Sequence, residues 1–161
     1  MSYPDPRYFG EGGEVSAVLR PHDAEPNLTY NSGVQVDYLA TGASTDGEFG
    51  LYRWTFGPEQ GGPGPHFHRT ISESFFILTG TVQLFNGEEW VNATSSDWLY
   101  VPKGGIHGFR NVVGEPASML LMFTPGAPRE GYFEGLKENA GKNLTDEERA
   151  AFYLQHDNYW V

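Results

Sequence analysis

Segments in which apolar and polar residues alternate run through the middle of the chain, from Val34 to Phe123. Alternation with a period of two is typical of a β-strand that buries one of its faces. The segments with this pattern cover residues 34–40, 49–56, 66–68, 73–78, 81–85, 90–93, 98–101, 107–112 and 118–123. So many short strands at close spacing predict an all-β sandwich or barrel.

Turn and helix signals divide the rest of the chain. Asn86-Gly87 lies between two of the predicted strands, where the dipeptide suits the positive φ angles of a tight hairpin. Apolar residues at helical spacing predict one helix over residues 129–139. A second helix is expected after Thr145, which forms a capping-box pattern with Glu148. The chain is therefore read as one domain with an extended arm (1–33), a β-barrel (34–126) and a C-terminal helical extension (127–161).

Composition narrows the classes of partner. The 161 residues include 21 acidic and 10 basic side chains, which give a formal net charge of −11. Such a charge disfavours nucleic acid and anionic membranes, so a small-molecule ligand is expected. No signal segment or long apolar run is present, and a cytoplasmic location is expected. Because the chain has no cysteine, any metal must be bound by His, Asp or Glu.

One group of residues has the spacing of a metal site. His66 and His68 are two positions apart on a predicted strand, so both side chains point to the same face. Glu73 begins the next strand and is close enough to add a carboxylate. A Gly-rich turn brings a third imidazole, His107, to the start of another strand. Leaving three imidazoles and a carboxylate buried without a metal would leave several lone pairs unsatisfied.

These residues form the patterns H-x-H-x4-E-x6-G, from His66 to Gly80, and P-x-G-x2-H-x3-N, from Pro102 to Asn111. The two patterns resemble the signature motifs of the cupin superfamily. The resemblance implies a small antiparallel jelly-roll barrel that binds one divalent ion per chain. The implied ligands are His66, His68, Glu73 and His107. Two turn positions depart from the family pattern: Ser96 replaces a glycine, and Gly61 lies one residue nearer to His66 than usual.

Strand parity extends the prediction to a substrate pocket. Phe75 and Ile77 share the face of Glu73, while Phe109 and Asn111 share the face of His107. These four residues are the predicted pocket residues. Arg110 has the opposite parity and should point away from the metal.

Several orientations stay open at this stage. Arg53 could face either way, and His156 could lie at the surface or reach the mouth of the barrel; His22 is expected at the surface. On the strand over residues 118–123, the inward set is either Met119, Leu121 and Phe123 or Ser118, Leu120 and Met122.

The resemblance also suggests a function. The arrangement is similar to small bacterial quercetin-dioxygenase-like cupins, which implies a metal-dependent dioxygenase acting on a planar enol or phenol. Glu73 would then accept the proton of the substrate hydroxyl. The alternatives are a non-redox metal-dependent isomerase or cyclase of small polyketide-like intermediates, and a non-catalytic ligand-binding cupin. The residues do not choose among Fe, Ni, Mn, Co and Zn. Single-domain relatives are usually homodimers, so a homodimer is expected.

Overall fold

A computed structural model describes residues 1–161 and contains eleven strands and two helices. In chain order these are β1 (Leu28–Thr29), β2 (Gln35–Ala40), β3 (Gly50–Thr55), β4 (His66–Phe67), β5 (Ser72–Thr79), β6 (Val82–Phe85), β7 (Trp90–Ala93), β8 (Trp98–Val101), β9 (Gly108–Asn111), β10 (Ser118–Thr124), α1 (Arg129–Asn139), α2 (Asp146–Gln155) and β11 (Tyr159–Trp160). The larger sheet has the order β1-β2-β3-β10-β5-β8 and the smaller sheet the order β7-β6-β9, while β11 pairs with β4. All pairs are antiparallel, as in a cupin jelly roll.

The alternation of burial along the strands agrees with the sequence pattern. All nine predicted segments contain a strand, and no strand end differs from the prediction by more than one residue. On β10, Met119, Leu121 and Phe123 are buried, which selects one of the two possible orientations. On β5, Phe75 and Ile77 share the buried face with Glu73, as parity predicts.

Two short strands have no clear signal in the sequence. The strands β1 and β11 have two residues each, which is too short for a periodicity to be read. Each is defined by its partner: Leu28 lies opposite Val36, and Trp160 lies opposite His66. The second pairing brings the C-terminal segment to the metal-ligand strand.

Both helices follow the predicted pattern. The first covers Arg129–Asn139 and buries Tyr132 and Phe133 against the barrel, where the Phe133 ring lies 5.2 Å from that of Tyr52. The second begins after Thr145 with a capping box: Glu148 N donates to Thr145 Oγ1 at 3.1 Å, and Thr145 N donates to Glu148 Oε2 at 2.9 Å. Neither helix has the length and apolar character needed to cross a membrane.

The residues before β1 form an extended segment, and residues 1–19 are exposed. Arg20 joins this segment to the barrel because its Nη2 donates to Asp37 Oδ1 at 3.1 Å. The Nε of Arg53 donates to the other oxygen of Asp37 at 2.9 Å. Arg53 therefore faces this ion pair, and it is not among the residues that line the cavity at the metal centre.

The turn at Ser96 explains how the chain tolerates a departure from the cupin pattern. Ser96 has a φ of 73°, in the left-handed region that the glycine of the family would adopt without strain. Hydrogen bonds hold this conformation: Ser96 N donates to Ile77 O at 2.9 Å, and Thr94 N donates to Asp97 Oδ2 at 2.7 Å. The turn thus holds a positive φ at a residue that is less suited to it than glycine.

We predict that Ser96→Gly stabilises the protein, because glycine reaches this φ without contact between Cβ and the backbone. The greater freedom of glycine in the unfolded chain offsets part of the strain that is relieved. The expected net gain in stability is therefore about 0.5–1 kcal/mol. Chemical denaturation measures the difference. Ser96→Val is the matched control and should lower the stability, because a β-branched side chain is less favourable at positive φ. Equal stabilities of the three proteins would contradict this explanation.

Candidate metal centre

Two strands and two adjoining loop positions bring the candidate ligands together. His66 begins β4, His68 follows it, Glu73 lies on β5, and His107 precedes β9. His66 and His107 form an antiparallel bridge, in which the amide of each donates to the carbonyl of the other at 2.9 Å. The structure thus brings together all four predicted ligands, and each of them is at most 4% exposed.

A hydrogen bond at Nδ1 orients each imidazole. Nδ1 of His66 donates to Gly64 O at 2.9 Å, and Nδ1 of His107 donates to Gly105 O at 2.9 Å. Nδ1 of His68 donates to Asp157 O at 2.6 Å. With the proton on Nδ1, the lone pair of a neutral ring is on Nε2, which is the arrangement of a histidine that binds a metal.

The contacts around Glu73 require a positive charge. Glu73 Oε2 lies 2.8 Å from Nε2 of His107 and 3.2 Å from Nε2 of His68. Two lone pairs approach this closely only when a proton or a metal ion neutralises their repulsion. A buried carboxylate that faces imidazole nitrogens therefore fits a cation site.

The electrostatics of His66 and Glu73 also suit a metal. Burial and the nearby charge of His107 lower the pKa of His66 to about 4, so this ring is neutral at pH 7. Burial alone would raise the pKa of Glu73, but hydrogen bonds and charge interactions with His107 and His68 outweigh it and lower the pKa. Burial opposes protonation of His107, yet its hydrogen bond with Glu73 raises the pKa of this ring. An ionised carboxylate and a neutral imidazole are the forms that bind metals.

The distances between the ligand atoms and the types of ligand also fit a metal site. One ligand atom from each residue can be chosen so that all four lie within 4.8 Å of one another. An ion bonded to each at about 2.0–2.2 Å would hold these atoms at most about 4.4 Å apart, so only a small contraction of the cluster is needed. Three nitrogens and a carboxylate oxygen suit iron, nickel, cobalt, manganese or zinc, and leave coordination positions for a substrate. The cluster fits a cupin metal site.

The metal centre opens into a cavity of about 310 Å³ between the barrel and the C-terminal segment. His66 and Glu73 lie in its wall, so a ligand in the cavity can reach the metal centre. The other lining residues are Tyr30, Ser32, Val34, Trp54, Gly61, Gly62, Pro63, Phe109, Leu121, Phe123, Arg129, Tyr132, Phe133, Leu136, Tyr153 and Trp160. The wall is mostly apolar and rich in aromatic rings, which favours a planar organic ligand.

The predicted pocket residues occupy different places. Phe109 lines the cavity, but Phe75, Ile77 and Asn111 do not. All three are fully buried in the barrel, where Phe75 packs between His107 and Phe109 at 5.8 Å from each ring. Their predicted place in the pocket wall needs correction, because strand parity fixes the face of a side chain and not its depth along the barrel.

Asn111 has a structural role below the cavity. Its Oδ1 accepts a hydrogen bond from Gly61 N at 2.9 Å, and its Nδ2 donates to Gly57 O and Glu59 O at 3.2 and 3.1 Å. Asn111 therefore holds the loop that leads to His66. The one-residue shift of Gly61 relative to the family pattern is accommodated in this loop.

The remaining candidates lie away from the metal centre. Arg110 points outward, as parity predicts, and its guanidinium lies 4.1 Å from the Trp90 ring centroid. His22 is exposed. His156 packs against Tyr132 and Phe152 and lines a second, smaller cavity rather than the one at the metal centre.

The sequence analysis missed several residues of the cavity wall. Arg129 is 5% exposed and lies at the start of α1, and the Trp160 ring lies 5.2 Å from that of His66. Trp54 reaches the wall from β3. These residues lie outside the two motifs. The one sequence signal for them was Arg129, a charged residue at the first position of a helix predicted to cover the barrel.

Comparison with known proteins agrees with the geometry. The family model of the cupin domain matches residues 52–123, which include all four candidate ligands. This stretch of the chain is therefore similar to a cupin domain. A protein of Aquifex aeolicus (strain VF5) described as uncharacterized is 33% identical over 61 residues, which are 38% of this chain and 50% of that protein. The match thus spans about half the length of this curated relative.

Solved structures show the same fold. KdgF from Halomonas sp. has a TM-score of 0.60 at 14% identity, and the match covers 71% of this cupin and 97% of that chain. A predicted oxalate decarboxylase from Thermotoga maritima has a TM-score of 0.57 at 18% identity, with 66% and 97% covered. The polyketide cyclase RemF from Streptomyces resistomycificus has a TM-score of 0.54 at 18% identity, with 66% and 79% covered.

We predict that the cupin binds one equivalent of Zn²⁺ and that His66→Ala or His107→Ala abolishes stoichiometric binding. Each substitution removes a ligand that a buried site cannot replace. An ion bound only by the folded state also stabilises it, by about 2.7 kcal/mol at a hundredfold excess over Kd. Elemental analysis and thermal denaturation of untagged protein measure both effects. His22→Ala is the matched control and should bind as the parent does; full occupancy of either ligand variant would refute the assignment.

Proposed function

We propose that this cupin is a metal-dependent dioxygenase that acts on a planar enol or phenol. The observation that supports it is the metal centre of three imidazoles and one carboxylate, which opens into a cavity with aromatic walls. A bound divalent ion would supply a Lewis acid for the substrate oxygen and, with iron, nickel, cobalt or manganese, a means of reacting with O2. The proposed ligands are His66, His68, Glu73 and His107.

The protein itself positions the substrate and excludes water. Phe109 and Phe123 contribute flat apolar surfaces to the cavity, and Trp160 covers His66 from the C-terminal side. A planar ring in this space would have its oxygen directed to the metal centre, because the other walls are largely apolar. Exclusion of water protects reactive intermediates during oxygenation.

Glu73 is the proposed proton acceptor. Its Oε2 contacts the imidazoles of His68 and His107, whereas Oε1 forms no hydrogen bond with the protein. Since Glu73 also lines the cavity, this second oxygen is available to a substrate hydroxyl. Coordination acidifies a phenol or enol, which offsets the low basicity of a carboxylate beside a metal.

A non-redox reaction, isomerisation or cyclisation of a small polyketide-like compound, is the second candidate. It is favoured by the buried guanidinium of Arg129 in the cavity wall, whose charge stabilises an enolate without any oxidation. One solved protein with this fold, RemF, is named a polyketide cyclase.

Oxygen uptake by the metal-loaded protein tests the proposal. The protein is reconstituted separately with Fe²⁺, Ni²⁺, Co²⁺, Mn²⁺ and Zn²⁺ and mixed with a panel of flavonols and enols. We expect substrate-dependent O2 uptake with at least one of the first four metals and none with zinc. Incorporation of both atoms of ¹⁸O2 into the product confirms dioxygenation. Conversion of a substrate by the zinc form without O2 uptake would instead support the second candidate.

Glu73→Gln tests the role of the carboxylate as a base. The amide is nearly isosteric but cannot accept the proton, so we expect turnover to fall by about a hundredfold or more while the three histidines retain metal. Metal content and turnover are measured on the same sample. Loss of metal in proportion to activity would reduce Glu73 to a ligand, and full activity in a metal-loaded variant would remove it from the chemistry.

We also propose that the protein is a homodimer. The outer face of the larger sheet carries exposed apolar side chains on neighbouring strands, namely Phe76, Trp98, Tyr100 and Met122. Cross-strand pairing places these side chains in two neighbouring rows: Phe76 lies opposite Trp98, and Ser74 lies between Met122 and Tyr100. An apolar patch of this kind is typical of a protein interface.

A further inference from the structure

The cavity wall contains two buried hydrogen-bond donors that have no partner in the protein. Of the three buried side-chain N or O atoms without a hydrogen bond, two are Arg129 Nε and Trp54 Nε1. Both residues line the cavity at the metal centre, and both are more than nine-tenths buried. A buried donor without an acceptor is unfavourable, so two in one wall indicate that a ligand supplies the acceptors.

Of the two donors, the Arg129 guanidinium is the stronger indication that the cavity binds a ligand. It forms no salt bridge with any carboxylate. Its Nη1 donates to His156 O at 2.6 Å and its Nη2 donates to Asn158 Oδ1 at 3.4 Å, which uses two of its five N–H groups. Burial lowers the pKa of Arg129, yet an arginine remains charged in proteins. A buried positive charge without a counter-ion calls for an anion.

The position of Arg129 relates this charge to the metal centre. Its Cζ lies 5.1 Å from the centroid of the Phe123 ring. Phe123 is the cross-strand neighbour of Glu73, and its ring lies 6.5 Å from that of His68. The guanidinium therefore lies beside the metal centre, separated from it by about one aromatic ring.

Trp54 provides a second donor on the same cavity. Its ring centroid lies 5.7 Å from that of Phe133, and the Arg129 Cζ lies 5.9 Å from the same Phe133 ring. One planar molecule can therefore reach both groups while it contacts the aromatic wall.

We propose that the cavity binds a planar organic acid, with the carboxylate on Arg129 and a further oxygen accepting from Trp54 Nε1. This deepens the proposed function and rests on it for the role of the metal: the ionisable hydroxyl of the same molecule would lie at the ion. The charges agree, because a divalent ion and Glu73 together carry a net charge of +1 and Arg129 adds another. The substrate class is thus an enol or phenol that also carries a carboxylate.

The first test compares two probes that differ in charge, cinnamate and cinnamamide. Isothermal titration calorimetry is carried out on the full chain after removal of metal by chelation, so the result is independent of the ion and of turnover. We expect cinnamate to bind at least tenfold more tightly than cinnamamide, since hydrogen bonds to an ionised group are about twice as strong as neutral ones. Equal affinities, or no binding of either probe, would overturn the proposal.

Arg129→Gln should remove this preference by weakening cinnamate binding at least tenfold while leaving cinnamamide unchanged. Arg110→Gln is the matched control, because it makes the same change of charge outside the barrel and should preserve the preference. Trp54→Phe keeps the ring and loses only Nε1. Because neither probe has an oxygen beyond the group placed at Arg129, this variant should preserve the preference for cinnamate. A preference that persists in Arg129→Gln would refute the role of Arg129.

Arg129 also anchors the C-terminal segment, so its substitution can affect folding. NMR titration of the parent protein avoids this difficulty: the Nε–H resonance of Arg129 should shift with cinnamate and not with cinnamamide. Absence of such a shift would overturn the proposal.

Repeating the calorimetry with the Zn²⁺-loaded protein shows whether Arg129 or the metal ion binds the carboxylate. A preference that exists only with zinc and survives Arg129→Gln would show that the ion alone binds the carboxylate, which refutes this inference and leaves the metal site intact. A preference in the metal-free protein that depends on Arg129 supports the inference even when no oxygenase activity is found.

Discussion

The three hydrogen bonds from imidazole Nδ1 groups to backbone carbonyls are the constraint on which the site depends. The accepting carbonyls belong to Gly64, Gly105 and Asp157, which lie in three separate parts of the chain. Because backbone carbonyls cannot rotate independently, each loop fixes one ring, and all three lone pairs lie near Glu73. The fold therefore determines the protonation and the direction of the ligands together.

The C-terminal segment completes the site in three ways. Asp157 O orients His68, and the Asp157 carboxylate accepts hydrogen bonds from Thr70 N and Oγ1 at 2.9 and 2.6 Å. Trp160 pairs with His66 in the short sheet and covers its ring. Arg129 holds His156 O and so connects α1 to the same segment. The cupin motifs supply the ligands, but residues about 90 positions later position one of them and close the cavity.

The sequence was sufficient for the strands and for the candidate ligands, and less so for the cavity. His66, His68, Glu73 and His107 could be identified because period-two alternation and glycine turns constrain direction locally. Phe75 and Ile77 were assigned to the correct face, yet they do not line the cavity, because parity carries no information about depth along the barrel. Depth depends on strand stagger and on which element covers each end, which are properties of long-range packing. The role of Arg129 could not be found for the same reason, since no local pattern shows that a helix residue will be buried without a counter-ion.

The net charge of the chain does not by itself predict the charge of the ligand. A chain with a net charge of −11 repels anions at a distance, and this argues for a neutral partner. Surface charges, however, are screened beyond about 8–10 Å at physiological salt, whereas a buried guanidinium acts through a medium of low dielectric constant. Inside the cavity the nearest charges are those of Arg129 and the metal centre, and these decide what binds. The negative surface slows the approach of an organic acid, and the buried positive charge selects it once it has entered.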